Sequence, residues 1–180
     1  MIAMIRNMIA MIGDDPGREG LQETPARVVR AWEELFSGYR SPPPTMPDFE
    51  AGSYDEMVIV KGISFMSWCE HHILPFHGTV AIGYIPAGRV VGLSKLARLV
   101  DWHARRLQIQ ERLTREIADS LNKTLNPLGV GCIIQATHLC MIARGVKQAS
   151  AQAVTSALMG VMKEEGPARS EFLSLLRMPT

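Results

Sequence analysis

The sequence is short of the features that would take it out of the ordinary globular class. Charge of neither sign is in excess: 19 Lys and Arg stand against 18 Asp and Glu, for a formal net charge of +1. A broad basic surface for nucleic acid or for an anionic membrane is thereby excluded, and any anionic ligand must be held by a local cluster of Lys and Arg. Cysteine is scarce, three in 180 residues and without framework spacing. A disulfide scaffold is not expected, and a reducing, cytoplasmic setting is. No apolar run is long enough to span a bilayer. The most apolar stretch, Met1 to Ile12, carries only Arg6 and lacks a clear cleavage site, and its Met1, Met4, Ile5, Met8 and Ile12 follow helical spacing. It reads as an amphipathic helix that packs on the rest of the chain. There is no internal repeat, and the only biased tract is Ser41-Pro42-Pro43-Pro44-Thr45-Met46-Pro47.

What is present fits one domain with a helical appendage, long enough to bury a core. The proline run is a stiff, extended linker, dividing an N-terminal helical region, 1–47, from the main domain, 48–180. Thr24-Pro25 supplies an N-cap and a first helical position for a helix carrying Val28, Val29, Trp32, Leu35 and Phe36 and ending at Gly38. Beyond the linker, Met57 to Phe65 and Thr79 to Ile85 read as strands. Ser94 caps a helix to about Arg105, and Gln110 to Leu125 is a second helix stopped by Asn126-Pro127. Val130 to Ala143 reads as a long strand and Pro167 opens a last helix to Leu176. Residues 152–162 are ambiguous, with Ala, Leu and Met favouring helix and Val154, Thr155 and Val161 favouring strand.

The chemistry concentrates in two short clusters, Cys69-Glu70-His71-His72 and His138-Leu139-Cys140. Cys69 and His72 are spaced for two ligands on a turn, and His138 and Cys140 share a face if they lie on one strand. Cys132 has the same parity but would sit about 26 Å away along an extended strand, and is assigned to the core. The five candidates, Cys69, His71, His72, His138 and Cys140, exceed what an open catalytic metal site takes, three protein ligands with a place left for water. Adjacent His71 and His72 tend to point apart, so one can bind metal while the other faces a substrate. Three ligands with two histidines left for proton transfer point to an enzyme.

A second constellation suits an anion. Gly92-Leu93-Ser94-Lys95 opens a helix whose free N–H groups and positive dipole end favour phosphate. Arg98 lies one turn on from Lys95, and Arg144-Gly145 follows Cys140 closely. Glu111, after Gln108 and Gln110 at a helix start, can accept two hydrogen bonds from adjacent N–H donors. Guanine offers such a pair, and a polyphosphate grip beside a guanine-binding carboxylate reads as GTP.

With these residues in place the chain resembles GTP cyclohydrolase I. The resemblance runs from Asp15-Pro16-Gly17-Arg18-Glu19-Gly20-Leu21 to Glu171-Phe172-Leu173. It is carried by Glu23-Thr24-Pro25-Ala26-Arg27, Cys69-Glu70-His71-His72, Gly92-Leu93-Ser94-Lys95, Gln108-Ile109-Gln110-Glu111-Arg112-Leu113-Thr114 and His138-Leu139-Cys140-Met141 with Arg144-Gly145. It implies an α+β tunnelling fold, antiparallel ββααββ after N-terminal helices, whose copies close a β-barrel as pentamers that pair into a homodecamer with active sites between subunits. It implies that Zn2+ is held by Cys69, His72 and Cys140 and that His71 and His138 transfer protons. Glu111 would hold the guanine edge with Gln110 nearby, and Ser94, Lys95, Arg98 and Arg144 the ribose and triphosphate, with Arg27 reaching in from a neighbouring subunit. It also turns residues 152–162 toward strand. The implied reaction takes GTP to 7,8-dihydroneopterin triphosphate and formate.

Family members often carry Lys-Thr-Val-Thr where this chain has Gln152-Ala153-Val154-Thr155, a departure that touches no assigned ligand and is expected to matter little. Two other readings compete: a relative of the same fold acting on a pterin or deazapurine, and a non-catalytic zinc-stabilised oligomer that binds GTP.

Overall fold

The computed structural model describes residues 1–179. Helix α1 (Ile2–Met11) packs on α2 (Thr24–Leu35), as expected, but through Ile5 and Ile9; Met1, Met4, Met8 and Ile12 of the expected apolar face are exposed. The helix starts differ from expectation by one position. Thr24 already lies inside α2, its hydroxyl donating to the Gly20 carbonyl, and the helix stops at Leu35, before a 3-10 turn over Ser37–Tyr39.

The main domain is a five-stranded sheet under two helices. Its strands are β2 (Val58–Cys69), β3 (Pro75–Ile85), β6 (Gly129–His138) and β7 (Ala153–Gly160), all antiparallel to their neighbours, with the short β5 (Leu107–Gln108) added parallel to β2, in the order β5-β2-β3-β6-β7. Helices α3 (Leu93–Ala104) and α4 (Gln110–Leu125) link the two hairpins. This is the ββααββ order of the tunnelling fold. A separate ribbon of β1 (Asp48–Glu50) and β4 (Arg89–Val91), too short to leave a periodic signal, completes the strands.

Periodicity explains the packing. Leu113, Ile117, Leu121 and Leu125 recur at helical spacing along α4 and are buried, as are Leu96, Leu99 and Val100 of α3. They meet the strand face carrying Val80, Ile82 and Tyr84 from β3 and Val130, Cys132, Ile134 and Ala136 from β6. Asn126, in the left-handed conformation at φ 46, ends α4, with Pro127 blocking its continuation. On the other face, Phe172 of α6 (Pro167–Arg177) is fully buried against Gly83 and Gly131, where an added Cβ would lie 2.7 Å from its ring. Burial of such a side chain stabilises the docked helix by about 1.5–3 kcal/mol. In β2 the pairing slips between Val60 and Ile63, and Gly62 takes the positive φ of the bulge.

Three expectations are corrected. The first two strands are longer than read from sequence, β2 reaching Cys69 and β3 starting at Pro75. Ser94 is not a cap: Gly92 holds that position and no side chain caps α3. The strand expected over Val130 to Ala143 ends at His138, and the chain then turns into the single helical turn α5 (Leu139–Ile142). Residues Ala153–Gly160 do form a strand, paired along most of β6. No helix among the described residues is long and apolar enough to cross a membrane.

Candidate active site and metal centre

The site is built where β2 and β6 end and β3 begins. Cys69 is the last residue of β2, and five residues bring the chain back to Pro75 at the start of β3. The return is tight: Ile73 N–H donates to the Cys69 carbonyl at 2.8 Å and Cys69 N–H to the Leu74 carbonyl at 2.9 Å. Ile73 takes a φ of 53, a conformation that β-branched residues rarely adopt and that gathers at functional turns. The turn leaves His71 and His72 exposed, with their rings 6.3 Å apart and steeply inclined. Both rings face the same thiol, Nδ1 of His71 lying 3.8 Å and Nδ1 of His72 3.9 Å from Cys69 Sγ.

The turn is anchored from behind. Glu70 N–H donates to the Gln108 carbonyl of β5 at 3.0 Å, and the Glu70 carboxylate pairs with the Arg112 guanidinium of α4. Arg112 Nε in turn donates to Gln108 Oε1 at 2.8 Å. Gln108, 1% exposed, is thus a structural residue that couples the start of α4 to the ligand turn.

The other half comes from β6. Beyond His138 the chain leaves the sheet, so Cys140 reaches the site from α5 and not from a shared strand face. The outcome is the same convergence by another route: the ligand atoms of Cys69, His72 and Cys140 all lie within 4.8 Å of one another. Burial pushes the Cys140 thiol up, and the neighbouring Cys69 adds to this. Two thiolates held side by side repel, which a divalent cation would relieve. Two soft sulfurs and an imidazole suit a borderline-soft cation better than magnesium or calcium. Cys132 lies far back on β6, opposite Ile82 and Ala157, and is fully buried. It is a core residue, as expected, and burial alone holds its thiol protonated.

His138 is fixed on two sides. Its cross-strand partner is Phe76, and the two rings stack at 4.6 Å with planes 2° apart. Its Nε2 lies 2.8 Å from Gln110 Oε1. Burial holds the imidazole below its usual pKa, and the Glu111 carboxylate partly opposes this. Glu111 is exposed in the first turn of α4 and acts electrostatically on His138, so the proposed base-binding carboxylate and the proposed proton carrier share one locality.

Gln110 is placed differently from expectation. Its side chain, only 2% exposed, turns inward and donates to the carbonyls of Ile134 and Ala153 at 3.1 Å each and to Thr155 Oγ1 at 3.0 Å. That amide is committed within the protein, and the side chain supports His138 instead of lying open to a substrate. The segment at 152–155 is therefore not remote from the site, since Ala153 and Thr155 orient Gln110.

Of the anion-binding candidates, Arg144 lies against the cluster of Cys69, His72 and Cys140, its Nη1 3.4 Å from His72 Nε2 and from the Cys140 carbonyl. Ser94 and Arg98 are exposed and Lys95 half-buried in the first turns of α3. Lys95, Arg98 and Arg27 have no carboxylate partner among the described residues, which leaves their charge available to a ligand. Arg27 lies exposed on α2. Sequence reasoning missed Phe76, Thr155 and the Glu70–Arg112 pair. Only the last left a signal, opposite charges inside the two motifs.

Comparison with known proteins gives a consistent result. A family model described as GTP cyclohydrolase I matches residues 1–177. A protein named GTP cyclohydrolase 1 from Synechococcus sp. (strain JA-2-3B'a(2-13)) is 50% identical, covering 100% of this chain and 80% of its own. Another of the same name from Wolinella succinogenes is 51% identical, covering 96% of this chain and 94% of its own. Among solved structures, the archaeosine synthase QueF-Like in the apo form is similar at a TM-score of 0.48 and 19% identity, over 58% of this chain and 93% of that chain.

Proposed function

The chain belongs to the GTP cyclohydrolase I family, and we propose that the site at the ends of β2, β3 and β6 carries out the family reaction on GTP. It is an enzyme that hydrolyses and rearranges GTP to 7,8-dihydroneopterin triphosphate and formate, the entry step of pterin synthesis. The observation that carries the assignment to this site is the convergence of Cys69, His72 and Cys140 within 4.8 Å, beside an imidazole locked by Phe76 and Gln110. Two thiols and an imidazole fit zinc, which Cys69, His72 and Cys140 would hold. When bound, zinc supplies Lewis-acid activation of water near neutral pH.

The protein's own residues do the rest. Water adds at C8 of the guanine, the imidazole ring opens, a second water releases C8 as formate, and one water is lost when the rearranged ribose recloses on the pyrimidine amine. Each C–N bond that breaks needs a proton on nitrogen, and each water that adds must lose one. His71 and His138 carry these protons, imidazole being the side chain suited to the task near pH 7. Ser94, Lys95, Arg98 and Arg144 hold ribose and triphosphate, supported by the unpaired cations at the α3 N-terminus.

Glu111 accepts the two adjacent N–H groups of guanine, which adenine cannot offer. Replacing it with alanine is expected to lower kcat/KM for GTP by about 10- to 150-fold, the range for loss of ~1.5–3 kcal/mol of charged hydrogen bonding, and to narrow the preference for GTP over ATP. Unchanged discrimination in a competition assay would remove Glu111 from base recognition.

The open outer edges of β7 and of β5 with β2 support continuation of the sheet into other copies, as pentamers paired into a homodecamer, with Arg27 reaching a neighbour's phosphates. Residues 1–47 form the helical region and 48–180 the catalytic domain. Reduced thiols in the ligand set support a cytoplasmic setting. The direct test is to incubate zinc-loaded protein with GTP, oxidise, and assay fluorescent neopterin and formate together. Both are expected. GTP bound but intact would indicate a regulator, and neither binding nor turnover a relative acting on a pterin or deazapurine.

A further inference from the structure

The Gln110 side chain, placed beside the guanine-binding Glu111 by the resemblance, is engaged within the protein. Its amide nitrogen faces two carbonyl oxygens, those of Ile134 and Ala153, and the Thr155 hydroxyl. Carbonyl oxygens only accept, so the nitrogen must be the atom on that side, and the flip of the amide is determined. The amide oxygen is thereby aimed at His138 Nε2, 2.8 Å away. An amide oxygen also only accepts, so the proton in that contact belongs to Nε2.

We infer that Gln110 is a positioning residue that fixes His138 in its Nε2–H tautomer, making Nδ1 the one ring atom that takes up and returns the catalytic proton. A neutral imidazole has one protonated and one bare nitrogen, and the partner of one decides the state of the other. The rest of the surroundings enforces the arrangement. Phe76 stacks on the ring with planes 2° apart and fixes its plane. The register of β6 against β7 places the Ala153 carbonyl and Thr155 beside Gln110, and Thr155 Oγ1 shares a 2.6 Å hydrogen bond with Thr114 Oγ1. Thr114 Oγ1 in turn donates to the Gln110 carbonyl at 2.7 Å. Rotating the amide would set its oxygen against two carbonyls and take the donor away from both, leaving buried acceptors without partners. The tautomer is thus imposed, through Gln110, by the pairing of β6 with β7.

The inference rests on the reading of His138 as a proton carrier. Its test is long-range ¹H–¹⁵N correlation on zinc-loaded protein labelled with ¹⁵N-histidine, with the His138 signals assigned by difference against His138→Asn. At a pH where His138 is neutral, wild-type protein is expected to show protonated Nε2 and bare Nδ1. Gln110→Ala is expected to lose that preference, with kcat reduced about 10- to 100-fold, the scale for groups that orient a functional imidazole, and with little change in KM. A protonated Nδ1 or an even mixture in wild type overturns the inference, and this measurement stands even if Gln110→Ala does not fold. Retention of tautomer and kcat in a folded Gln110→Ala overturns it too. Failure of the underlying reading looks different: His138→Asn would turn over GTP normally while the wild-type tautomer remained Nε2–H.

Discussion

Replacing His138 with alanine is expected to lower turnover of GTP by about 100- to 10,000-fold, the contribution of a positioned general acid–base, while zinc content stays that of the parent. The two halves of the result come from separate features of the structure. His138 closes β6, and the ligand cluster of Cys69, His72 and Cys140 does not include it. Removing the ring takes away a proton carrier and leaves the two thiols and the His72 imidazole in place. The substitution also uncovers one face of Phe76 and strips the donor from Gln110 Oε1, a buried acceptor whose loss of partner costs about 1–3 kcal/mol. Some stability is therefore lost as well, so thermal unfolding must be measured beside kcat and metal content. A variant that is folded, zinc-loaded and inactive identifies His138 as part of the chemistry. One that turns over GTP at the parent rate would sink that role, however the ring is held.

How far the sequence disclosed this arrangement depends on the range of the interaction concerned. Elements set by local pattern were legible: α4 announces itself through Leu113, Ile117, Leu121 and Leu125 and stops where Asn126-Pro127 says it should. The thiols and imidazoles that converge were legible as a set, because such residues at short spacing have few other uses. What was hidden is what depends on partners distant in sequence. Residues 153–160 have mixed local preference and become a strand because β6 offers an edge to pair with, tertiary context overriding propensity. The strand expected through Cys140 fails for the converse reason. His138 pairs with Phe76, and only Pro75, the first residue of β3, lies beyond that pair, so the ladder runs out and the chain coils into α5. Gln110 shows the same limit at a single residue. A polar side chain at a helix start reads as available to a ligand, and only the register of β6 and β7 reveals that its amide is occupied.

The other large effect is expected at Cys140. Cys140→Ala should lose zinc and activity together, with metal affinity reduced by more than the roughly 10- to 100-fold that follows loss of a group merely supporting a ligand. Cys69 and His72 would remain, two donors on one turn, and a pair of ligands does not hold zinc against water as three do. The loss should be selective for the metal. Cys140 sits on the one-turn α5, outside the ladder of β3, β6 and β7, so the sheet and the helices above it keep their contacts. Cys132→Ala is the matched control, the same chemical change eight residues back in the core of β6. It should cost about 1 kcal/mol of stability, as removal of a small buried group does, and leave zinc and turnover intact. Metal analysis and GTP turnover on the two variants read the division directly. If Cys140→Ala kept its zinc, the metal would have to be held by another set, with His71 the nearest remaining imidazole at 3.8 Å from Cys69 Sγ. The division of labour between the two histidines of the turn would then have to be reversed. Loss of zinc with Cys140 and its retention without Cys132 would instead fix the ligand shell as the turn after β2 joined to the turn after β6.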